Sequence, residues 1–267
     1  MQEIYPIKTD YEDLDKIIGG FYPGELTIIG SRPATGKSSF LITLIKRITL
    51  ISCIPGLFFS IEMPAIRIYS RLVALISGIS YFIVRGYIDS DFSLKRDNDK
   101  PDIFVNLLKQ VQDFPFIIND KAHININEIC AEARKVCKKK RVQIIYIDYF
   151  GLITTDNKKD PFTAQASCII KKLKNLALEL NIPIVITCML SRCAEPSQPQ
   201  LKDFECSAIE NISDNIILMY EEHSYDTDFN PIKLIVAKNK HGEIGNIDLM
   251  FVKNTLMFMS KDFIGQL

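Results

Sequence analysis

A glycine-rich turn followed by lysine and serine is the segment of this sequence best suited to chemistry. It runs Gly30-Ser31-Arg32-Pro33-Ala34-Thr35-Gly36-Lys37-Ser38-Ser39. An apolar segment, Glu25–Gly30, precedes the turn, and an amphipathic helical pattern begins at Lys37. At such a junction backbone N–H groups converge on an anion, and the helix dipole adds to their field. The pattern predicts a phosphate-binding loop, with a plain glycine turn and helix cap as the alternative.

Each residue type in this turn suits the binding of a nucleoside triphosphate. Lys37 would reach the β- and γ-phosphates, and the hydroxyl of Ser38 would bind Mg²⁺. ATP and Mg²⁺ are therefore the expected substrate and cofactor. The residues expected to hold the nucleotide are Arg32, Pro33, Ala34, Thr35, Gly36, Lys37, Ser38 and Ser39.

Two carboxylates follow apolar segments and complete the predicted site. Asp148 ends Val142–Asp148, the most apolar segment of the chain, where it could hold Mg²⁺ through water. Glu62 ends Gly56–Glu62. From position alone, Glu62 is either an acid at the start of a helix or a catalytic base that orients the attacking water.

Short apolar strands alternate with longer helical patterns over the first two thirds of the chain. Strands are predicted at 25–30, 56–62, 115–120, 142–148 and 183–188, and helices at 37–52, 65–77, 102–112, 126–139 and 164–180. The stretch 81–101 is less regular. The last third contains strands at 215–220, 232–238, 246–252 and 255–260 without long helices between them. This order predicts an α/β fold with a mostly parallel twisted sheet that antiparallel strands extend near the C-terminus.

Composition limits the class of protein. The chain has 267 residues with 32 basic and 32 acidic side chains, so its formal charge is zero, although a local basic patch can still bind nucleic acid. Its seven cysteines are irregularly spaced, which predicts reduced, mostly buried thiols rather than disulfides or a zinc site. The first residues do not form a signal peptide, and no apolar run reaches 18 residues. We expect one domain, in the cytoplasm and away from membranes.

Five segments in the same order resemble the C-terminal ATPase domain of DnaB-type replicative DNA helicases. They are DYEDLDKIIGGFYPGELTIIGSRPATGKSSF, FFSIEMP, IIYIDYFGLI, KKLKNLALELNIPIVI and IVAKNKHGEIG. The resemblance covers almost the whole chain and implies a RecA-like fold over residues 1–267, without the family's N-terminal helical domain and linker helix. It also implies that Glu62 activates the attacking water and that the site lies between subunits.

The chain departs from the family pattern at the nucleotide sensor and at the arginine finger. Met189 stands where the family has a glutamine that senses the γ-phosphate, and a thioether cannot donate a hydrogen bond. Lys240 stands at the arginine-finger position and keeps the charge but not the planar fork. Lys238 is the matching nucleotide-binding lysine of that segment. A solvated strand end is the alternative for both lysines.

The resemblance also implies contacts with single-stranded DNA. The candidates are Lys158, Lys159, Arg192 and Lys202, although Lys158 and Lys159 could equally belong to a solvated face. The segment Asp203–Ser207 lacks the family's arginine and glycine, so weaker DNA binding is expected. A homo-hexamer, and a primase or a helicase loader, are the partners that the family suggests.

Three functions remain open from the sequence. The first is a helicase motor that hydrolyses ATP to translocate on single-stranded DNA. The second is a degenerate paralogue that binds nucleotide and acts as an interaction module. Met189 and Lys240 favour this second function. The third is another RecA-like ATPase, of the recombination or clock type, which shares part of the segment 12–30.

Overall fold

One mixed sheet of nine strands runs through the described part of the chain. The computed structural model describes residues 5–93, 102–191, 197–221 and 228–261. The strands are β1 (Leu26–Ser31), β2 (Gly56–Ser60), β3 (Phe116–Asn119), β4 (Ile144–Asp148), β5 (Ile184–Met189), β6 (Asn215–Tyr220), β7 (Phe229–Asn239), β8 (Gly245–Val252) and β9 (Met257–Ser260). Their order in the sheet is β3-β2-β4-β5-β1-β6-β7-β8-β9.

The sheet is parallel from β3 to β6 and antiparallel from β6 to β9, which confirms the predicted α/β class. Strand β1 lies between β5 and β6, with Ile28 opposite both Ile186 and Ile216. Every residue of β1, β2 and β4 is buried, because helices cover both faces of a parallel sheet. The carboxyl ends of β1, β2, β4 and β5 therefore share one edge.

The helices of the described residues match most of the predicted helical segments. They are α1 (Glu12–Ile18), α2 (Lys37–Ile45), α3 (Ala65–Ser77), α4 (Tyr81–Ser93), α5 (Asp102–Asp113), α6 (Ile126–Lys140), α7 (Phe162–Leu180) and α8 (Ser207–Ile212). A π-helical segment, Lys46–Ile51, continues α2. None of these helices is both long and apolar enough to cross a membrane.

The prediction of less regular structure over residues 81–101 was wrong for 81–93, since α4 covers them, and residues 94–101 lie outside the described part of the chain. The sequence of α4 has little apolar periodicity, and Gly86 lies in its middle. Tertiary contacts supply what the local pattern lacks: the backbone N–H of Tyr81 donates to the carbonyl of Asn254, and α4 packs on α3. Local propensity is weak enough for packing to decide such a case.

An aromatic cluster ties the last strand to the helix that follows the glycine-rich turn. The ring of Phe258 packs edge-on against Phe40 at 5.3 Å and stacks on Phe251 at 4.6 Å. The hydroxyl of Tyr11 donates to the carbonyl of Phe258 at 2.8 Å. The cluster therefore joins α2, β8 and β9 beneath the turn.

Replacement of Phe258 by alanine should destabilise the fold. Phe258 is fully buried, so Phe258→Ala removes a ring from a packed cluster and should lower the free energy of unfolding by about 3–5 kcal/mol. Urea unfolding followed by circular dichroism measures this change. Phe82→Ala is the matched control, because Phe82 is 68% exposed and should cost under about 0.5 kcal/mol. Equal losses in both variants would contradict the role of the cluster.

Candidate nucleotide-binding site

The turn between β1 and α2 has the shape of an anion-binding loop. Ala34 and Gly36 both adopt positive φ, at 66° and 90°. A Cβ atom on Gly36 would lie only 3.1 Å from Cζ of Phe258, so backbone conformation and space both require glycine there. Gly36 is the N-cap of α2, and its carbonyl accepts the N–H of Phe40. The N–H groups of the first turn thus remain available to a ligand.

A cavity of about 280 Å³ opens beside this loop and brings the predicted catalytic residues together. Its lining includes Gly36, Lys37, Ser38, Ser39, Glu62 and Arg71. Glu62 is exposed at the end of β2, and the ammonium group of Lys37 lies 5.0 Å from the ring centroid of Tyr149. A cation, a hydroxyl and a carboxylate therefore surround one space large enough for phosphate groups.

Asp148 lies fully buried at the end of β4 with one oxygen unpaired. Its Oδ1 atom accepts a hydrogen bond from the hydroxyl of Thr187 on β5, whereas Oδ2 is buried without a hydrogen-bond partner. A buried carboxylate oxygen without a partner is costly, and a hydrated cation would satisfy it. The donor set of Asp148 and Ser38 therefore fits Mg²⁺ held through water.

The pKa of the next residue, Tyr149, reflects the burial and the charges around this site. Burial raises the pKa of the Tyr149 hydroxyl, and the negative charges of Glu62 and Asp148 raise it further. Burial likewise raises the pKa of the neighbouring Cys188 thiol to about 12, although the positive charge of Lys37 opposes this shift. Both groups stay neutral at pH 7, so neither adds a negative charge that would repel a phosphate beside Lys37.

Three of the predicted residues of the loop do not line the cavity: Arg32, Pro33 and Thr35. The guanidinium of Arg32 donates to Ser197 and lies 3.7 Å from Asp203. The hydroxyl of Thr35 donates to the carbonyl of Arg32 at 3.1 Å. These side chains therefore shape the loop, because their hydrogen-bonding groups are turned to the protein.

Lys238 and Lys240 lie at the opposite edge of the sheet from the loop. Asn239 at the end of β7 pairs with Asn215 at the start of β6, which is beside the start of β1. Six residues of β1 separate that edge from the loop, a distance of about 20 Å at ~3.3 Å per residue. Neither lysine therefore reaches the nucleotide site of its own chain, so a part in that site would require a neighbouring copy of the chain, as the resemblance implies for Lys240.

Both lysines have partners at this edge. The ammonium of Lys238 donates to the carbonyls of Glu210 and Ser213 at the end of α8. The ammonium of Lys240 lies 3.0 Å from Asp214 and 3.5 Å from Glu25, yet its side chain remains 52% exposed. The hydrogen bonds of Lys238 therefore stabilise the fold. The exposed ammonium of Lys240 could leave its two carboxylates and bind another anion.

Comparison with known proteins assigns the chain to a family. The model of the DnaB-like helicase C-terminal domain matches residues 6–260. The chain belongs to the DnaB-like helicase C-terminal domain family. The replicative DNA helicase DnaB of Treponema pallidum is 35% identical over 97% of this chain and 57% of its own length. The replicative DNA helicase DnaC of Bacillus subtilis is 28% identical over 97% of this chain and 57% of its own. This chain thus spans little more than half the length of these relatives.

Solved structures agree on the fold. One of them, described as an ATPase domain, superposes with a TM-score of 0.83 at 24% identity, over 96% of this chain and 91% of its own. A DnaB-like replicative helicase whose structure was described with its primase interactions gives the same TM-score and identity over 97% and 64%. The RecA-like fold expected for the DnaB-like family is confirmed, and the family match favours the helicase branch over other RecA-like ATPases.

The predicted DNA contacts follow β4 and β5 at the same edge as the loop. Lys158 and Lys159 are exposed in the turn between β4 and α7, and Lys202 is exposed in the helical turn Leu201–Asp203. Asp156 accepts hydrogen bonds from the side chains of Asn125 and Asn127, which anchors the turn that holds Lys158. The remaining candidate, Arg192, lies outside the described residues.

Met189 occupies the end of β5, directly beside the start of the loop. It pairs with Ser31 in the sheet, and its side chain is 39% exposed. Met189 therefore lies beside the loop, where the resemblance places the γ-phosphate sensor, and its thioether cannot donate a hydrogen bond.

Arg71 is a site residue that the sequence reasoning missed. It lies on α3 and lines the cavity with Lys37 and Glu62. One signal could have found it: Ile68, Arg71, Leu72 and Leu75 follow i, i+3, i+4, i+7 spacing, which places a charge on the apolar stripe of the helix. A charge at such a position needs a partner in the interior.

The ion pairs at the edge where the parallel strands begin, which we call the amino edge, should make stability depend on pH. Burial opposes ionisation of Asp214, but hydrogen bonds from Lys174, the N–H of Leu26 and Lys240 outweigh it and hold its pKa below the usual value. Asp214→Asn should therefore cost about 1–3 kcal/mol at pH 7. A lowered pKa stabilises the fold above the ordinary Asp value, so this difference should shrink below about pH 4.

Urea unfolding of the wild type and of Asp214→Asn at pH 7, 5 and 3.5 measures that difference. Asp13→Asn is the matched control, because Asp13 pairs with Lys16 on an exposed surface and should change stability by under about 0.5 kcal/mol. A difference for Asp214→Asn that grows towards low pH would contradict this account.

Proposed function

We propose that this chain is the ATP-hydrolysing motor domain of a DnaB-type replicative DNA helicase. It would bind ATP and Mg²⁺, hydrolyse the ATP, and use the free energy of hydrolysis to translocate on single-stranded DNA in the cytoplasm. One observation carries the proposal: Lys37, Ser38 and Glu62 surround one cavity, beside a buried carboxylate of Asp148 that lacks a partner. The family match supports the same function.

Phosphoryl transfer to water needs charge neutralisation and an oriented nucleophile. The first-turn N–H groups of α2 and the ammonium of Lys37 would stabilise the negative charge that develops on the phosphate oxygens. Mg²⁺ bound by Ser38 and, through water, by Asp148 would supply further neutralisation. Glu62, exposed at the end of β2, would orient the attacking water and accept its proton.

The two edges of the sheet suggest how copies of the chain would cooperate. Because Lys240 lies about one strand length from its own loop, it could act only on the nucleotide of a neighbouring chain. In a homo-hexamer, Lys240 would leave Asp214 and Glu25 and stabilise the transferring phosphoryl group. A lysine lacks the bidentate fork of arginine, so we expect slower turnover than an arginine would support.

The segments after β4 and β5 would couple hydrolysis to DNA movement. They begin at Asp148 and Met189, beside the nucleotide cavity, and lead to the exposed Lys158, Lys159 and Lys202. Together with Arg192 these lysines would contact the phosphates of single-stranded DNA. A primase or a helicase loader would be a further partner.

ATP hydrolysis should depend on Lys37 and Glu62. Lys37→Ala removes the cation that faces the phosphates and should abolish measurable turnover. Glu62→Gln keeps the shape of the side chain but cannot accept a proton, so kcat should fall about 10²–10⁴-fold while nucleotide binding persists. Phosphate release, measured with and without single-stranded DNA, checks both variants.

Lys135→Ala is the matched control for this experiment, because Lys135 pairs with Glu132 on the exposed surface of α6, away from the cavity. Stimulation of the wild type by DNA would support a working motor. Nucleotide binding without any turnover that depends on Lys37 would contradict the proposal and favour the degenerate interaction module that Met189 and Lys240 suggest.

A site shared between chains should allow two inactive variants to complement each other. Lys37→Ala lacks a working loop but retains Lys240, whereas Lys240→Ala retains the loop but lacks the cation for its neighbour. Each alone should lose at least about tenfold in kcat, since a cation at this place can contribute about 10³–10⁵-fold. Their mixture should recover activity, measured as phosphate release against mixing ratio.

Lys240→Arg is the matching variant that should increase activity, because it restores the planar guanidinium of an arginine and should raise kcat. A mixture that is no more active than the sum of its components would exclude the shared site and leave Lys240 as a residue of the amino edge alone.

A further inference from the structure

Arg71 has a geometry that its structural contacts alone do not explain. Its Nη1 atom donates to Oγ of Ser39 at 3.0 Å, and its guanidinium lies 5.5 Å from the ring centroid of Tyr81. Its Nε atom is buried and has no hydrogen-bond partner. The side chain nevertheless lines the cavity beside the loop. One hydrogen-bonding direction is therefore satisfied by the protein, while the side chain still borders the space in which an anionic ligand would lie.

The charge of Arg71 is also unpaired within the described residues. Glu62 lines the same cavity but forms no ion pair with it, nor does any other carboxylate of the described ranges. A partly desolvated guanidinium without a counter-charge is costly, and an anionic ligand would remove that cost. By contrast, Arg67, one turn earlier on α3, pairs with Asp89 at the surface.

The neighbours of Arg71 indicate which part of a nucleotide it faces. Its partner Ser39 is the third residue of α2, past the residues Lys37 and Ser38 that serve the β- and γ-phosphates. Its other neighbour, Tyr81, is hydrogen-bonded to Asn254 in the turn between β8 and β9. Arg71 therefore lies on the β8–β9 side of the cavity, whereas Asp148 ends a strand on the other side of β1.

We propose that Arg71 binds an oxygen of the α-phosphate of the bound nucleotide, a contact that ATP and ADP share. This inference rests on the proposed function, because it requires a nucleoside phosphate in the cavity. Guanidinium forms charge-assisted hydrogen bonds with phosphate, and Ser39 and Tyr81 hold the group in place before the ligand arrives. The contact strengthens nucleotide binding in the ground state and leaves the chemical step to Lys37 and Glu62.

The test separates the charge of Arg71 from its hydrogen bond to Ser39. Arg71→Gln keeps a donor for Ser39 but removes the charge, whereas Arg71→Lys keeps the charge. We measure Kd for ADP and for a non-hydrolysable ATP analogue with a fluorescent nucleotide, and kcat and KM for ATP. Arg71→Gln should raise both Kd values at least about tenfold and leave kcat within about twofold. Arg71→Lys should raise them less than about threefold.

Arg67→Gln is the matched control, since it removes the same side chain from the same helix outside the cavity and should leave both Kd values unchanged. A second measurement uses the wild-type chain and so does not depend on the folding of a variant. Phenylglyoxal labelling of arginine, read by mass spectrometry, should be suppressed by ADP at Arg71 and not at Arg67.

Five results would overturn the inference. Unchanged Kd values in Arg71→Gln would show that the side chain only joins α3 to α2. A loss for the ATP analogue alone would place it at the γ-phosphate, and a fall in kcat alone would make it part of the chemical step. Labelling of Arg71 that ADP does not suppress would also overturn it. A wild type that binds neither nucleotide would overturn the proposed function first, and this inference with it.

Discussion

The described structure depends on a loop whose backbone must turn its N–H groups towards one point. That turn requires Gly36 at positive φ, directly against the ring of Phe258. The loop can be held there because β1 is buried between β5 and β6 and α2 packs on the aromatic cluster. The anion-binding field is therefore a property of the central strand and the last strand together, although the residues that create it are consecutive.

The charged groups lie at two edges of the sheet, one where the parallel strands end and one where they begin. The carboxyl edge collects Lys37, Glu62 and Asp148, because β1, β2 and β4 all end there. The amino edge collects Asp214 and Lys240, which hold each other in an ion pair. A sheet about 20 Å long keeps the two groups apart within one chain. This separation is the physical reason why a complete catalytic set would require a second copy.

In the proposed helicase motor, the departures from the DnaB-like pattern would affect the sensing of hydrolysis more than the binding of nucleotide. Met189 lies beside the loop at the sensor position but offers no donor, and Lys240 offers charge without a fork. The loop, Ser38 and the unpaired oxygen of Asp148 keep their chemistry. Arg71 adds a cation to the same cavity from within the chain. In the proposed motor, the binding of nucleotide and its coupling to DNA movement would therefore change separately.

The strands, most helices and the catalytic candidates could be predicted from the sequence, because these depend on local periodicity and on residues close together in the chain. The loop 30–39, Glu62 and Asp148 each follow an apolar strand, so their common edge followed from the α/β pattern. The sequence did not predict α4, whose start is held by Asn254. It also did not predict the position of Arg71 in the cavity, where Arg71 contacts Ser39 from another helix. Nor did it predict that Lys238 binds carbonyls of α8 far from the loop. These features became visible in the folded chain, because each depends on contacts between residues distant in sequence, which leave no local pattern.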